Sequence, residues 1–243
     1  MSANGEGALG FLYPGYAAED DYPYLAAAVE SPVRAEVVHT FFEEDAHTVA
    51  ALSEMGSLPR ILEGAERLTA SEPVAAVWSS TSASFVLGWE GAGEQAAELE
   101  RALGVPASTT ALAFVRATAA LGVQRVAVAA TYPEDIAERF VGFLGGAGVE
   151  VLRVESRGIV TAAEVGTLGR EEVAEFVSGN DHPEAEAILV PDTALHTARW
   201  LEALESIAGK PVLTANQVTF WEALRISGSL RPQKGLGELF GNS

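Results

Sequence analysis

Gly104-Val105-Pro106-Ala107-Ser108-Thr109-Thr110-Ala111 returns as Gly209-Lys210-Pro211-Val212-Leu213-Thr214-Ala215-Asn216, an offset of 105 residues. Each copy runs into an apolar segment of helical spacing, Leu112–Leu121 and Val218–Ile226. Two further correspondences keep the same order. Val74–Thr81 pairs with Ala187–Thr193, Thr81 and Thr193 being 112 apart, and Leu9–Pro14 pairs with Val126–Pro133, Pro14 and Pro133 being 119 apart. Gly-x-Pro before a strand is ordinary turn chemistry, so one match alone carries little. Three in order at similar offsets predict two halves related by duplication.

Outward from the repeat, short Val, Ala and Leu-rich runs predict buried strands at Ala8–Tyr13, Ala35–Thr40, Val74–Trp78, Val126–Ala130, Val149–Val154 and Ala187–Val190. Amphipathic stretches between them, Ala46–Leu68, Thr110–Leu121, Pro133–Leu144, Glu171–Ser178 and Thr197–Ile207, predict crossover helices. The fold class expected is α/β: two similar Rossmann-like halves with parallel sheets, related by a pseudo-twofold, with a site in the cleft between them. Residues 1–115 with 217–243 are expected to form the N-terminal half and 116–216 the C-terminal half.

A chain of 243 residues, 48% hydrophobic and 20% charged, can bury a core without staples. Its net charge of −19 repels phosphate backbones and anionic lipid, so neither nucleic acid nor membrane is an expected partner. An anionic ligand therefore needs a local attraction built into its site. There are no cysteines, which excludes disulfides and thiol nucleophiles. The opening MSANGEGALG lacks a basic and an apolar leader region, and the expectation is a cytoplasmic protein. A homo-oligomer remains open.

Four loops at strand ends carry groups capable of chemistry. Trp78-Ser79-Ser80-Thr81-Ser82-Ala83-Ser84 joins a strand to a helix, and its hydroxyls and amides suit a carboxylate cradle, though capping explains some of them. Pro191-Asp192-Thr193-Ala194-Leu195-His196-Thr197 is its counterpart, and the 112 offset sets Asp192 opposite Ser80. Asp192 also suits the cap of a helix starting near Thr193, and His196, one turn in, suits either a proton carrier or a structural role. Tyr132 follows a strand and offers its phenol to a ligand oxygen. Tyr13-Pro14-Gly15-Tyr16 ends the first strand, where glycine permits close backbone approach. No G-x-G-x-x-G, P-loop, G-x-S-x-G or H-E-x-x-H occurs, and His39, His47, His182 and His196 are scattered, so no cofactor or metal is expected.

These loops carry a resemblance. Gly10-Phe-Leu-Tyr-Pro14, Ser80-Thr-Ser-Ala-Ser-Phe85, Ala130-Thr-Tyr132, Asp192-Thr-Ala-Leu, Pro211-Val-Leu-Thr-Ala-Asn-Gln217 and Trp221-Glu-Ala-Leu-Arg225 resemble the aspartate/glutamate racemase superfamily. The closest likeness is to its maleate cis-trans isomerase and arylmalonate decarboxylase branch. That resemblance implies cysteines on the two faces of the substrate, where this chain has Ser80 and Asp192, and arylmalonate decarboxylase keeps only the second. It further implies that Thr81, Ser82, Tyr132 and the backbone near Thr193 hold a substrate carboxylate or its enediolate; Pro14 and His196 are expected to join them in binding the substrate. The expected function is a cofactor-independent lyase or isomerase on a small mono- or dicarboxylate, with Asp192 and Ser80 catalytic. Two alternatives stay open: a carboxylate-binding protein whose catalysis has decayed, and a hydrolase using Ser80 with His196 as base.

Overall fold

The computed structural model describes residues 7–31 and 33–241; the first six residues, Pro32, Asn242 and Ser243 lie outside the described residues. The first half runs β1 (Ala8–Pro14), α1 (Asp21–Ala28), β2 (Ala35–Thr40), α2 (Val49–Met55), α3 (Leu58–Leu68), β3 (Pro73–Trp78), α4 (Ser82–Phe85), α5 (Gly88–Leu103), β4 (Ala107–Thr109) and α6 (Thr110–Leu121). The second runs β5 (Arg125–Ala130), α7 (Glu134–Gly146), β6 (Glu150–Ser156), α8 (Ala162–Val165), α9 (Arg170–Gly179), β7 (Ala187–Val190), α10 (Leu201–Ala208), β8 (Val212–Thr214), α11 (Ala215–Ile226) and α12 (Glu238–Gly241). Each half folds into a four-stranded parallel sheet, in the orders β2-β1-β3-β4 and β6-β5-β7-β8, so one topology occurs twice.

The repeat that predicted this sits where the sheets end. Thr109 and Thr214 close β4 and β8 and start α6 and α11; Thr109 Oγ1 accepts from the Leu112 amide, and Thr214 forms a capping box with Gln217. The two helices pack together, and Thr110 and Thr219 bond through their hydroxyls at 2.6 Å. α11 also lies against β3 and β1, and buried Phe220 of α11 and Tyr22 of α1 both stack on Phe11 of β1. The boundaries expected at 115/116 and 216/217 fall inside α6 and α11, because the helices that join the halves also pack them. One apolar core accordingly runs through both, from Leu9, Leu12 and Trp78 to Val128, Leu189 and Leu213.

Several predicted boundaries move for local reasons. The single helix expected over Ala46–Leu68 is two, α2 and α3, broken at Gly56-Ser57, with Pro59 in the first turn of α3. A Cβ at Gly56 would stand 2.1 Å from the Ala83 carbonyl oxygen, so glycine lets the break abut α4. Gln95 braces the same junction, its amide donating to the Gly56 and Ala83 carbonyls, both at 2.8 Å. No helix begins near Thr193. The chain turns there, runs through one 3₁₀ turn at Ala198–Trp200 and enters α10 at Leu201. No described helix is long and apolar enough to cross a membrane.

Candidate active site

The C-terminal ends of β1, β3, β5 and β7 converge between the sheets, as open parallel sheets place their sites. A cavity of about 30 Å³ lies there, lined by Tyr13 and Pro14 from β1, Ser80 and Ser82 after β3, and Asp192, Thr193 and Ala194 after β7. Phe42, Asp45, Ala46 and His47 from the loop after β2, Leu52 and Met55 of α2, and Ala162 of α8 complete the wall. The space holds one or two waters, less than a carboxylic acid occupies.

Asp192 is 4% exposed and held from two sides. Thr131 Oγ1 donates to Oδ2 and the Ala194 amide donates to Oδ1 at 2.9 Å, a turn in which the side chain does the work expected of a helix cap. Tyr132 and Tyr13 fix the same loop from behind: Tyr132 Oη donates to the Pro191 carbonyl at 2.5 Å, and Tyr13 Oη to the Thr193 carbonyl at 2.9 Å. Burial, reinforced by the nearby Asp192 charge, pushes both phenols well above the ordinary tyrosine value. Both therefore stay neutral donors. The phenol of Tyr132 is spent on Pro191 rather than facing the cavity, which revises the donor role expected of it.

On the opposite wall, Ser80 Oγ accepts from the Ala83 amide at 3.3 Å. Thr81, the N-cap of α4, is fully buried behind Ser80 and Ser82, and the hydroxyls of Thr81 and Ser82 lie beside the Tyr132 phenol. The structure thus brings Pro14, Ser80, Ser82, Asp192 and Thr193 to one cavity and sets Thr81 and Tyr132 behind it. His196 is elsewhere: it is not helical, and its Nε2 bonds Asp20 Oδ1 at 2.9 Å, away from the cavity wall. That pairing also removes the Ser80–His196 couple a hydrolase would need. Thr131, His47 and the loop after β2 were not singled out from sequence; their signal was position alone, at the ends of β5 and β2.

A buried network sets the Asp192 loop against the first half. Asn216 Nδ2 donates to the Thr193 carbonyl and to Asp21 Oδ2, both at 3.1 Å, and Tyr22 Oη donates to Asn216 Oδ1 at 3.1 Å. Asp21 also accepts from the amides of Thr197 (3.0 Å) and Ala198 (3.2 Å), which holds the chain out of α-helix until Leu201. Burial raises the Asp21 pKa above the ordinary carboxylate value, despite donors that lower it. A raised folded-state pKa means that the native protein binds the proton more tightly than the unfolded chain, so this group adds stability as pH falls through its folded value. Chemical unfolding of wild type and Asp21→Asn across pH therefore shows the difference shifting in favour of the wild type from neutrality down towards the ordinary aspartate range. A difference that is flat or shifts the other way contradicts it.

The fold and cleft are those of an enzyme of the aspartate/glutamate racemase-like superfamily. Residues 41–240 match the family model described as arylmalonate decarboxylase, and the chain belongs to that family. Arylmalonate decarboxylase of Bordetella bronchiseptica is 29% identical over 189 residues, 75% of this chain and 78% of that one. Among solved structures, the maleate isomerase Iso from Pseudomonas putida S16 aligns with a TM-score of 0.88 at 20% identity, covering 97% of this chain and 98% of that chain. A mutant of Nocardia farcinica maleate cis-trans isomerase with a covalently bound succinylcysteine intermediate gives 0.89 at 20%, covering 98% and 99%. A liganded double mutant of arylmalonate decarboxylase gives 0.86 at 23%, covering 98% and 100%.

Proposed function

We propose that this chain is a cofactor-independent decarboxylase or isomerase of small mono- or dicarboxylates. It works through an enolate held at the Ser80–Ser82 loop, with Asp192 moving the proton. The observation that carries this reading is the placement of Asp192 and Ser80 on facing strand ends of one cavity, Asp192 being fixed by Thr131 and the Ala194 amide. In the decarboxylation, the bond from the α-carbon to one carboxylate breaks and its electron pair passes into the remaining carboxylate as an enediolate. Carbon dioxide leaves, and a proton carried by Asp192 is delivered to the α-carbon and replaced from water.

The hydroxyls of Ser80 and Ser82 stabilise the charge that develops on the enediolate. A preorganised donor of this kind lowers a barrier by about 3 kcal/mol. Decarboxylation is the better supported of the two reactions. The maleate cis-trans isomerase relative carries a covalently bound succinylcysteine intermediate, and this chain has no cysteine with which to form one. The proposed cavity chemistry needs proton transfer alone.

The test is incubation of purified protein with malonate, phenylmalonate and maleate, followed by chromatography for the monoacid and fumarate. Loss of a carboxyl group supports decarboxylation, and fumarate supports isomerisation. Saturable binding of these acids with no product from any of them would overturn the catalytic reading in favour of a binding protein.

A further inference from the structure

A second cavity, of about 380 Å³, opens at the other end of the first sheet. It lies at the N-terminal ends of β1 and β3, between the end of α1 and residues 227–233, the segment that follows α11. Leu9 lines this space and Pro14 lines the cavity that holds Asp192, so β1 separates the two by about 16 Å. A turn at Gly228, with a φ of +73° that suits glycine, folds the segment back to the sheet, and the Ser229 and Leu230 amides donate to the Leu224 carbonyl at 2.9 and 3.0 Å. Gln233 pins the far end. Its amide donates to the Phe240 carbonyl at 2.9 Å, and its Oε1 accepts from the Glu30 amide at 2.8 Å.

The lining has two sides. Leu9, Val29, Val74 and Leu224 make an apolar floor, of which Val74 is left 40% exposed. Arg231 and Gln233 make the polar side. Gln233 is 9% exposed, and its Nε2 donates to no described residue. Arg231 places Nη1 on the carbonyls of Gly228 (3.2 Å) and Leu230 (2.6 Å) and pairs with no carboxylate among the described residues, which leaves Nε and Nη2 for a ligand. A guanidinium stays charged at every working pH. In a chain of net charge −19 this is a fixed positive charge, and no acidic side chain among the described lining residues cancels it. An apolar floor beside one cation and one buried donor complements a monoanion with an apolar body. At roughly 30 Å³ per non-hydrogen atom, a water's share of the liquid, the space takes about a dozen such atoms, the size of a medium-chain acid.

We propose that this cavity is a second ligand site, for a medium-chain aliphatic monocarboxylate. The chain lies on the floor made by Leu9, Val74 and Leu224, and the carboxylate accepts from Arg231 and from Gln233 Nε2. The site stands apart from the cavity between the sheets and does not depend on the reaction proposed there.

Titration of nitrogen-15-labelled protein with octanoate, followed through the backbone amides by NMR, tests this without a substitution. Saturable shifts of the Val74, Gly228 and Gln233 amides are expected. Octanol, which lacks the charge, and acetate, which lacks the chain, should each bind there about 5-fold more weakly or worse. Arg231→Gln should weaken octanoate by about 5-fold and leave octanol as it was; Arg231 is exposed, so the fold does not rest on it. Shifts confined to the Asp192 loop, or no saturable shift at all, would overturn the site. Octanol binding as tightly as octanoate, or an Arg231→Gln protein that binds octanoate like wild type, would overturn the recognition of a carboxylate there.

Discussion

Asp192→Asn lowers kcat by roughly 10²- to 10⁴-fold, the range lost when a positioned general acid or base is removed. The unfolding temperature stays close to that of wild type. Asparagine is nearly isosteric, and its carbonyl still accepts from the Ala194 amide, the bond that shapes the 191–195 turn. Its amide cannot carry and return a proton, and it turns a donor towards Thr131, whose hydroxyl can respond by accepting. Steady-state kinetics on the substrate identified in the product assay checks this result. A variant retaining more than about a tenth of wild-type kcat would move the proton-transfer role away from Asp192.

Asn216→Ala costs about 3–5 kcal/mol of stability and with it most of the activity, though Asn216 does not line the cavity. Truncation leaves the Asp21 carboxylate with two amides instead of three donors, and it removes the acceptor of the Tyr22 hydroxyl. Each buried polar group left without its partner costs about 1–3 kcal/mol, and a charged one costs more. In a chain of this size about 1 kcal/mol moves Tm by about 2–4 °C, so scanning calorimetry should show a fall of roughly 10 °C. The Thr193 carbonyl keeps only its bond from Tyr13, so the Asp192 loop loosens as well. A change in Tm within 2 °C would show that the network is not what seats this loop.

The architecture was legible because duplication leaves the same turn chemistry twice. Gly104-Val-Pro106 and Gly209-Lys-Pro211 each lead into a three-residue strand whose last threonine caps the next helix. Ser80, Ser82, Pro14, Thr193 and Asp192 were legible as loop residues at strand ends, since parallel sheets put such ends together. What sequence could not show was orientation. The direction of the Tyr132 hydroxyl depends on the Pro191 carbonyl lying within its reach, and the outward turn of His196 depends on Asp20, 176 positions away. His47 was hidden for another reason. The helix expected from Ala46 takes in His47, whereas bonds to Ile159 and Val160 of the other half hold it in a loop against the cavity.

The central claim is that Asp192 delivers a proton to the α-carbon of an enolate formed in the cavity between the halves. Proton NMR of wild type turning over a malonate in D₂O tests it most directly. The account predicts a monoacid product carrying one solvent deuterium at the α-carbon, with Asp192→Asn silent under the same conditions. A malonate that binds yet stays intact and unlabelled, or a variant that labels it as fast as wild type, would contradict the account.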